Sequence, residues 1–118
     1  MKKRSRTTSY KTGLLAESLA IALLTFKFYR VLERRYKTQM GEIDIIAIRG
    51  RTIIFVEVKK RTNHKELFES ITIKQQHRIY NAAEIFLGKN PIYTKHKKRF
   101  DAILIPSNLF PIHVKNAW

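Results

Sequence analysis

At 118 residues the chain has room for one domain around one modest core, and its 44% apolar content excludes an intrinsically disordered protein. It contains no cysteine, which excludes a disulfide scaffold and any thiolate metal site and fits a reducing cytosol. Twenty-four Lys and Arg against nine Asp and Glu leave a formal charge of +15, a self-repulsion that a compact domain tolerates best when a polyanion is its partner. Nucleic acid is the commonest such partner; a generically basic ribosome-associated or membrane-surface protein is the alternative.

Residues 1–11 (MKKRSRTTSYK) are polar and basic, and read as a mobile arm ahead of a single domain over 12–118. Lys2, Lys3, Arg4 and Arg6 before the apolar run Leu19 to Phe26 imitate a secretory signal, but Glu17 and Lys27 bracket that run and no small-x-small site follows. The run also falls well short of the ~20 apolar residues that span a bilayer. A buried helix in a soluble, cytoplasmic protein with no membrane role is the expectation. The helix is predicted from Gly13 to about Val31, with Leu15, Leu19, Ala22, Leu23 and Phe26 as its apolar stripe.

Residues 32–38 (LERRYKT) give a weak strand signal, after which the period becomes two. In E-I-D-I-I-A-I-R (42–49), alternation puts Glu42 and Asp44 on one face with Ile46 and Ile48, and Ile43, Ile45 and Ala47 on the other. Gly50 and Arg51 supply a tight turn, and the β-branched run 52–59 (TIIFVEVK) is the return strand. A polar link over 60–69 leads to a second helix, where Thr72 and Gln75 have capping-box spacing and Ile79, Ala82, Ala83, Phe86 and Leu87 form an apolar stripe. Gly88 and Pro91 should end that helix, and a last strand is predicted over 99–105 before Pro106. The order describes one mixed α/β domain.

A turn centred on Gly50 and Arg51 sets Asp44 opposite Glu57, and Glu42 opposite Lys59. Two carboxylates whose Cβ atoms lie ~4.5–5.5 Å apart across a strand pair repel each other. Lys59 relieves some of that repulsion; a hard divalent cation relieves more, since Mg²⁺ favours a few carboxylate oxygens completed by waters and substrate phosphate. Such a centre suits phosphodiester hydrolysis, with the ion acidifying water and a lysine near it stabilising developing charge. On spacing alone, the same residues equally describe the solvated face of an exposed hairpin with weak salt bridges.

The blocks G-E-I-D-I-I-A (41–47) and F-V-E-V-K-K-R (55–61) resemble the UPF0102 family, which is placed in the PD-(D/E)xK nuclease superfamily and is similar to archaeal Holliday junction resolvases. The resemblance continues through Ala16 and Glu17, Lys74 and Gln75, and Arg99, Phe100 and Asp101, so it covers nearly the whole chain. It implies a restriction endonuclease-like domain, a central mixed β-sheet flanked by helices. It implies that Asp44, Glu57 and Lys59 handle metal and water, and that Glu17 adds a helix carboxylate to the metal. The implied activity is that of a Mg²⁺- or Mn²⁺-dependent endonuclease on nucleic acid, DNA ahead of RNA and branched DNA included, with a homodimer by analogy to the resolvases. A non-catalytic nucleic-acid-binding module that retains the fold is the rival reading.

Lys74, Gln75 and Arg78, at the start of the second helix, are candidate phosphate contacts beside Arg61, because helix N-termini with nearby cations attract anions. Glu42 reads as an auxiliary ligand or as an ion pair with Lys59. Asp101 reads as a salt-bridge partner of Arg99. His64, His77, His96 and His113 lack ligand spacing and receive no role.

Overall fold

The computed structural model describes residues 6–60, 65 and 69–118, with side chains from Gly13 onward. Helix α1 (Arg6–Phe26) is followed by strands β1 (Arg30–Thr38), β2 (Gly41–Arg49) and β3 (Thr52–Lys59). Helix α2 (Ile73–Lys89), a short 3₁₀ turn (Pro91–Tyr93), and strands β4 (Lys97–Leu104) and β5 (Ile112–Val114) complete the described chain. The five strands form one sheet in sequence order. Neighbours are antiparallel except β3 and β4, which run parallel and therefore need the crossover that α2 supplies.

The β2–β3 hairpin has the expected register, from Ile45↔Val56 to Arg49↔Thr52, around Gly50 at φ 60°. Alternation along β3 feeds two cores. Ile54 and Val56 face α1 with Ile45, Ala47 and Ile103, whereas Ile53 and Phe55 face α2 with Ile46, Ile79, Ala82, Ala83 and Phe86. A helix thus covers each sheet face, and the arrangement is an α/β, restriction-endonuclease-like domain with a mixed sheet.

Several expectations change. Helix α1 ends at Phe26 rather than near Val31, because Phe28 (φ 70°) turns the chain and Val31 enters β1. Its buried stripe is Ala16, Ala20 and Leu24, while Leu15 and Phe26 are exposed. Small residues let the helix lie close to Ile45, Ala47 and Ile54, which rotates its contact face by one position and brings Glu17 to the edge of the sheet. Strict alternation also fails in β2: Ile43 joins Ile46 and α2 rather than Ile45 and Ala47. Helix α2 runs through Gly88 and stops at Asn90, whose N–H bonds to the Leu87 carbonyl. Strand β5 was not expected, since three residues are too few to show a period. Among the described residues, no helix is long and apolar enough to cross a membrane.

Candidate functional site

The site is built where β2 begins. Gly41 has φ 158°, and a Cβ there would sit 2.1 Å from the Arg78 carbonyl oxygen, so this strand end presses on α2 as only glycine allows. Thr38 Oγ1 donates to the Gly41 carbonyl at 2.7 Å and accepts the N–H groups of Met40 and Gly41, which fixes the β1–β2 turn. Asp44 follows. Its Oδ2 accepts the Val58 N–H at 2.8 Å, so beyond the Ile45↔Val56 pair a carboxylate takes a donor of β3.

Glu57 is 7% exposed and meets the start of α2, where Gln75 Nε2 donates to Glu57 Oε2 at 2.5 Å. Lys59 Nζ lies 3.3 Å from the same oxygen. The carboxyls of Asp44 and Glu57 stand within hydrogen-bonding range of each other. Burial raises the Asp44 pKa against the stabilising Val58 N–H, and Glu17 adds to the rise. Burial first, then the charge of Asp44, pushes Glu57 up to about 8, with Lys59 offsetting only part of it. A half-buried and a buried carboxyl therefore face each other with too little positive charge between them.

Glu17, 6% exposed, borders the same space from α1. Its Oε1 accepts from Arg34 Nη2 at 3.2 Å and its Oε2 from Arg35 Nε at 3.0 Å. Consecutive strand residues normally point to opposite faces. Arg35 has φ 51°, and this break from extended backbone goes with both guanidiniums reaching one carboxylate. A cavity of about 500 Å³ is lined by Glu17, Arg35, Lys37, Glu42, Asp44 and Lys59. On the α2 side, a smaller one of about 230 Å³ is lined by Glu42, Asp44, Glu57, Gln75 and Arg78. Asp44 and Glu42 border both.

The structure thus brings Asp44, Glu57, Lys59 and Gln75 together, with Glu17 on the wall and Arg78 at the rim. Lys74 is exposed and lines neither cavity, and Arg61 lies outside the described residues. Gln75 uses only half of the capping box: its backbone N–H bonds to Thr72, but its side chain goes to Glu57. Lys59 pairs with Glu57 rather than with Glu42, which faces Lys37 of β1 in the ladder. Among the described residues, no three His, Cys, Asp or Glu side chains are grouped to hold a metal ion. Arg34 and Arg35 were not anticipated; a pair of arginines in a weak strand signal says nothing about a carboxylate on the preceding helix.

A second buried polar cluster lies on β4. Asp101 pairs with Arg99 as expected, and also with His113 Nε2 at 2.7 Å and the Asn116 N–H at 3.1 Å. His113 had no signal in sequence, because its partners lie 12 and 86 positions away in Asp101 and Lys27.

The sequence profile of Uncharacterised protein family UPF0102 matches residues 16–105, a span holding Glu17, Asp44, Glu57, Lys59 and Gln75. A UPF0102 protein of Rhodopseudomonas palustris is 43% identical over 114 residues, covering 97% of this chain and 88% of the relative. One from Mesorhizobium japonicum is 42% identical over 114 residues, with 97% and 91% covered. One from Parvibaculum lavamentivorans is 43% identical over 110 residues, with 93% and 83% covered. Alike in sequence from the first helix through β4, the chain belongs to the UPF0102 family.

Proposed function

We propose that this protein is a Mg²⁺- or Mn²⁺-dependent endonuclease that hydrolyses nucleic-acid phosphodiesters, DNA before RNA and branched DNA among its substrates. The observation that carries this reading is the pair of half-buried Asp44 and buried Glu57, face to face and with raised pKa values, beside the ammonium of Lys59. The donor set fits a hard cation: two carboxylates, no sulfur and no imidazole, next to open cavities that admit water and a phosphate. Asp44 and Glu57 would hold the ion, which when bound neutralises phosphate charge and acidifies water.

The chain's own residues supply the rest. Lys59, beside Glu57, would orient the attacking water and stabilise negative charge as that water adds to phosphorus and the ester P–O bond breaks. Gln75 holds Glu57 in place from α2. Glu17 is held by Arg34 and Arg35, and of the two guanidiniums that of Arg35 lines the cavity, where it suits a phosphate. The net charge of +15 favours polyanion binding. The test is a panel of linear, flapped and four-way DNA with each metal. Cutting should require the ion, and Asp44→Asn should abolish it while binding survives.

A non-catalytic nucleic-acid-binding module is the second reading, favoured by one observation: Gln75 and Lys59 together already satisfy Glu57 Oε2. Equal binding by wild type and Asp44→Asn, with no cutting by either on any substrate, would select it.

A further inference from the structure

At the C-terminal end of α1, the sequence F-K-F (26–28) makes a turn whose two rings lie in solvent. Phe26 is 81% exposed and Phe28 86%. A bulky aromatic rarely adopts positive φ, yet Phe28 holds φ 70°, and such an outlier persists only where its surroundings impose it. They do so here. The Lys27 N–H bonds to the Leu23 and Leu24 carbonyls, and the Phe28 N–H to Thr25 O. Arg49 Nη1 donates to the Lys27 carbonyl at 3.1 Å while its guanidinium lies 4.4 Å over the Tyr29 ring. Lys27 Nζ reaches His113 Nδ1 at 2.6 Å. The turn is held rigidly, with its apolar rings outward.

The charge around it is positive: Arg49, Arg99 and Lys115 all act on Lys27, with Asp101 as the opposing acid. Rings presented by a fixed backbone amid cations complement a flexible polyanion with flat apolar faces. Nucleic-acid bases stack on such rings only when unpaired, and cations track the phosphates. A second copy of the chain fits less well, since it would set two cationic ends against each other.

We propose that Phe26 and Phe28 form a stacking platform for unpaired bases of single-stranded nucleic acid, with Lys27, Arg49 and Lys115 along the backbone track. The proposal rests on the nucleic-acid part of the functional reading but not on cleavage. It assigns the protein two separate contacts with its substrate: a carboxylate site bordered by the middle of α1 and a single-strand anchor at the C-terminal end of that helix.

The experiment measures fluorescence anisotropy of labelled oligothymidine, oligouridine and blunt duplex DNA in EDTA, so that metal chemistry is silent. The variants are Phe26→Ala, Phe28→Gly, their combination, and Phe28→Tyr. Glycine suits the positive φ at position 28, so the ring is removed without unfolding the turn. Affinity for single strands should fall roughly tenfold per ring lost. Duplex affinity and the salt slope should hold, and the tyrosine variant should bind like wild type. Equal losses on oligothymidine and oligouridine identify the shared base-stacking chemistry; loss on one alone assigns the platform to DNA or to RNA.

Unchanged single-strand binding by the double variant would overturn the platform, as would equal loss on duplex. It would also fall if sedimentation showed a wild-type dimer that the double variant dissociates, or if anionic vesicles competed for the rings. Wild type that binds neither single strands nor duplex would sink the nucleic-acid reading itself, an outcome distinct from losing the platform alone.

Discussion

Asp101 and Glu57 are buried acids on neighbouring strands, and their surroundings drive them in opposite directions. Burial pushes Asp101 up, but His113, Arg99 and the Asn116 N–H outweigh it and hold the carboxyl below the usual range. Burial also pushes Glu57 up, and there Asp44 adds to the rise while Lys59 offsets too little. One carboxylate is saturated by its own protein; the other is left short of positive charge. A saturated buried ion pair fixes local geometry, whereas an electrostatic deficit beside an open cavity is where a cation or a catalytic proton belongs.

The largest test of this contrast is catalytic. Asp44→Asn should lower metal-dependent cleavage by about a thousandfold or more, equivalent to ~4 kcal/mol of transition-state stabilisation. Nucleic-acid affinity in EDTA should not change. Retained cutting would remove Asp44 from the chemistry.

On the saturated side, Asp101→Ala strands Arg99 and His113 without their anion in the interior. Destabilisation of about 3–5 kcal/mol by urea denaturation is the expected outcome. A loss under about 1 kcal/mol would show that the cluster is solvated and unimportant to the fold. The pH dependence follows from the lowered pKa. Asp101 contributes stability above its unfolded value of 3.8, and loses it as pH falls through the lower folded value.

Gly41→Ala comes next, because its Cβ would overlap the Arg78 carbonyl. We expect roughly 1–3 kcal/mol of destabilisation. Cleavage should suffer more than melting does, since the same shift displaces Asp44 from Gln75 and Glu57. Loss of stability with full activity would uncouple that contact from the site.

The smallest effect should be a gain. Without metal, Glu57→Gln removes a carboxyl that resists ionisation, and should stabilise the protein by about 1–2 kcal/mol at neutral pH. A raised folded pKa contributes stability that is full below 4.5 and is lost as pH rises through about 8. Wild type should therefore fall behind the glutamine variant across that window and run parallel above it. A constant difference from low to high pH would mean that the deficit at Glu57 is absent.

Much of the fold was legible in sequence because it follows local periods. The β2–β3 register came from a turn dipeptide and alternation, and with it the approach of Asp44 to Glu57. The α2 stripe came from 3.6-residue spacing, and Thr72 caps that helix as its spacing suggested. In α1 the large apolar residues Leu19 and Leu23 pack against the core as their spacing suggests, but the centre of the contact face falls on Ala16 and Ala20, whose small size allows the close approach. The platform residues Phe26 and Phe28 could not be recognised as exposed, since an aromatic at a helix end reads locally as core.

The amino-acid order by itself determined the β2–β3 pairing, the two helices and the meeting of two acids across a hairpin, because each depends on neighbours a few positions apart. Only the tertiary structure decided that Gln75 and Lys59 share Glu57, that Glu17 is held by Arg34 and Arg35, and that His113 completes the Asp101 cluster. Those pairings join side chains on different elements. Their geometry is set by how helices and strands pack, and no repeat along the chain encodes it.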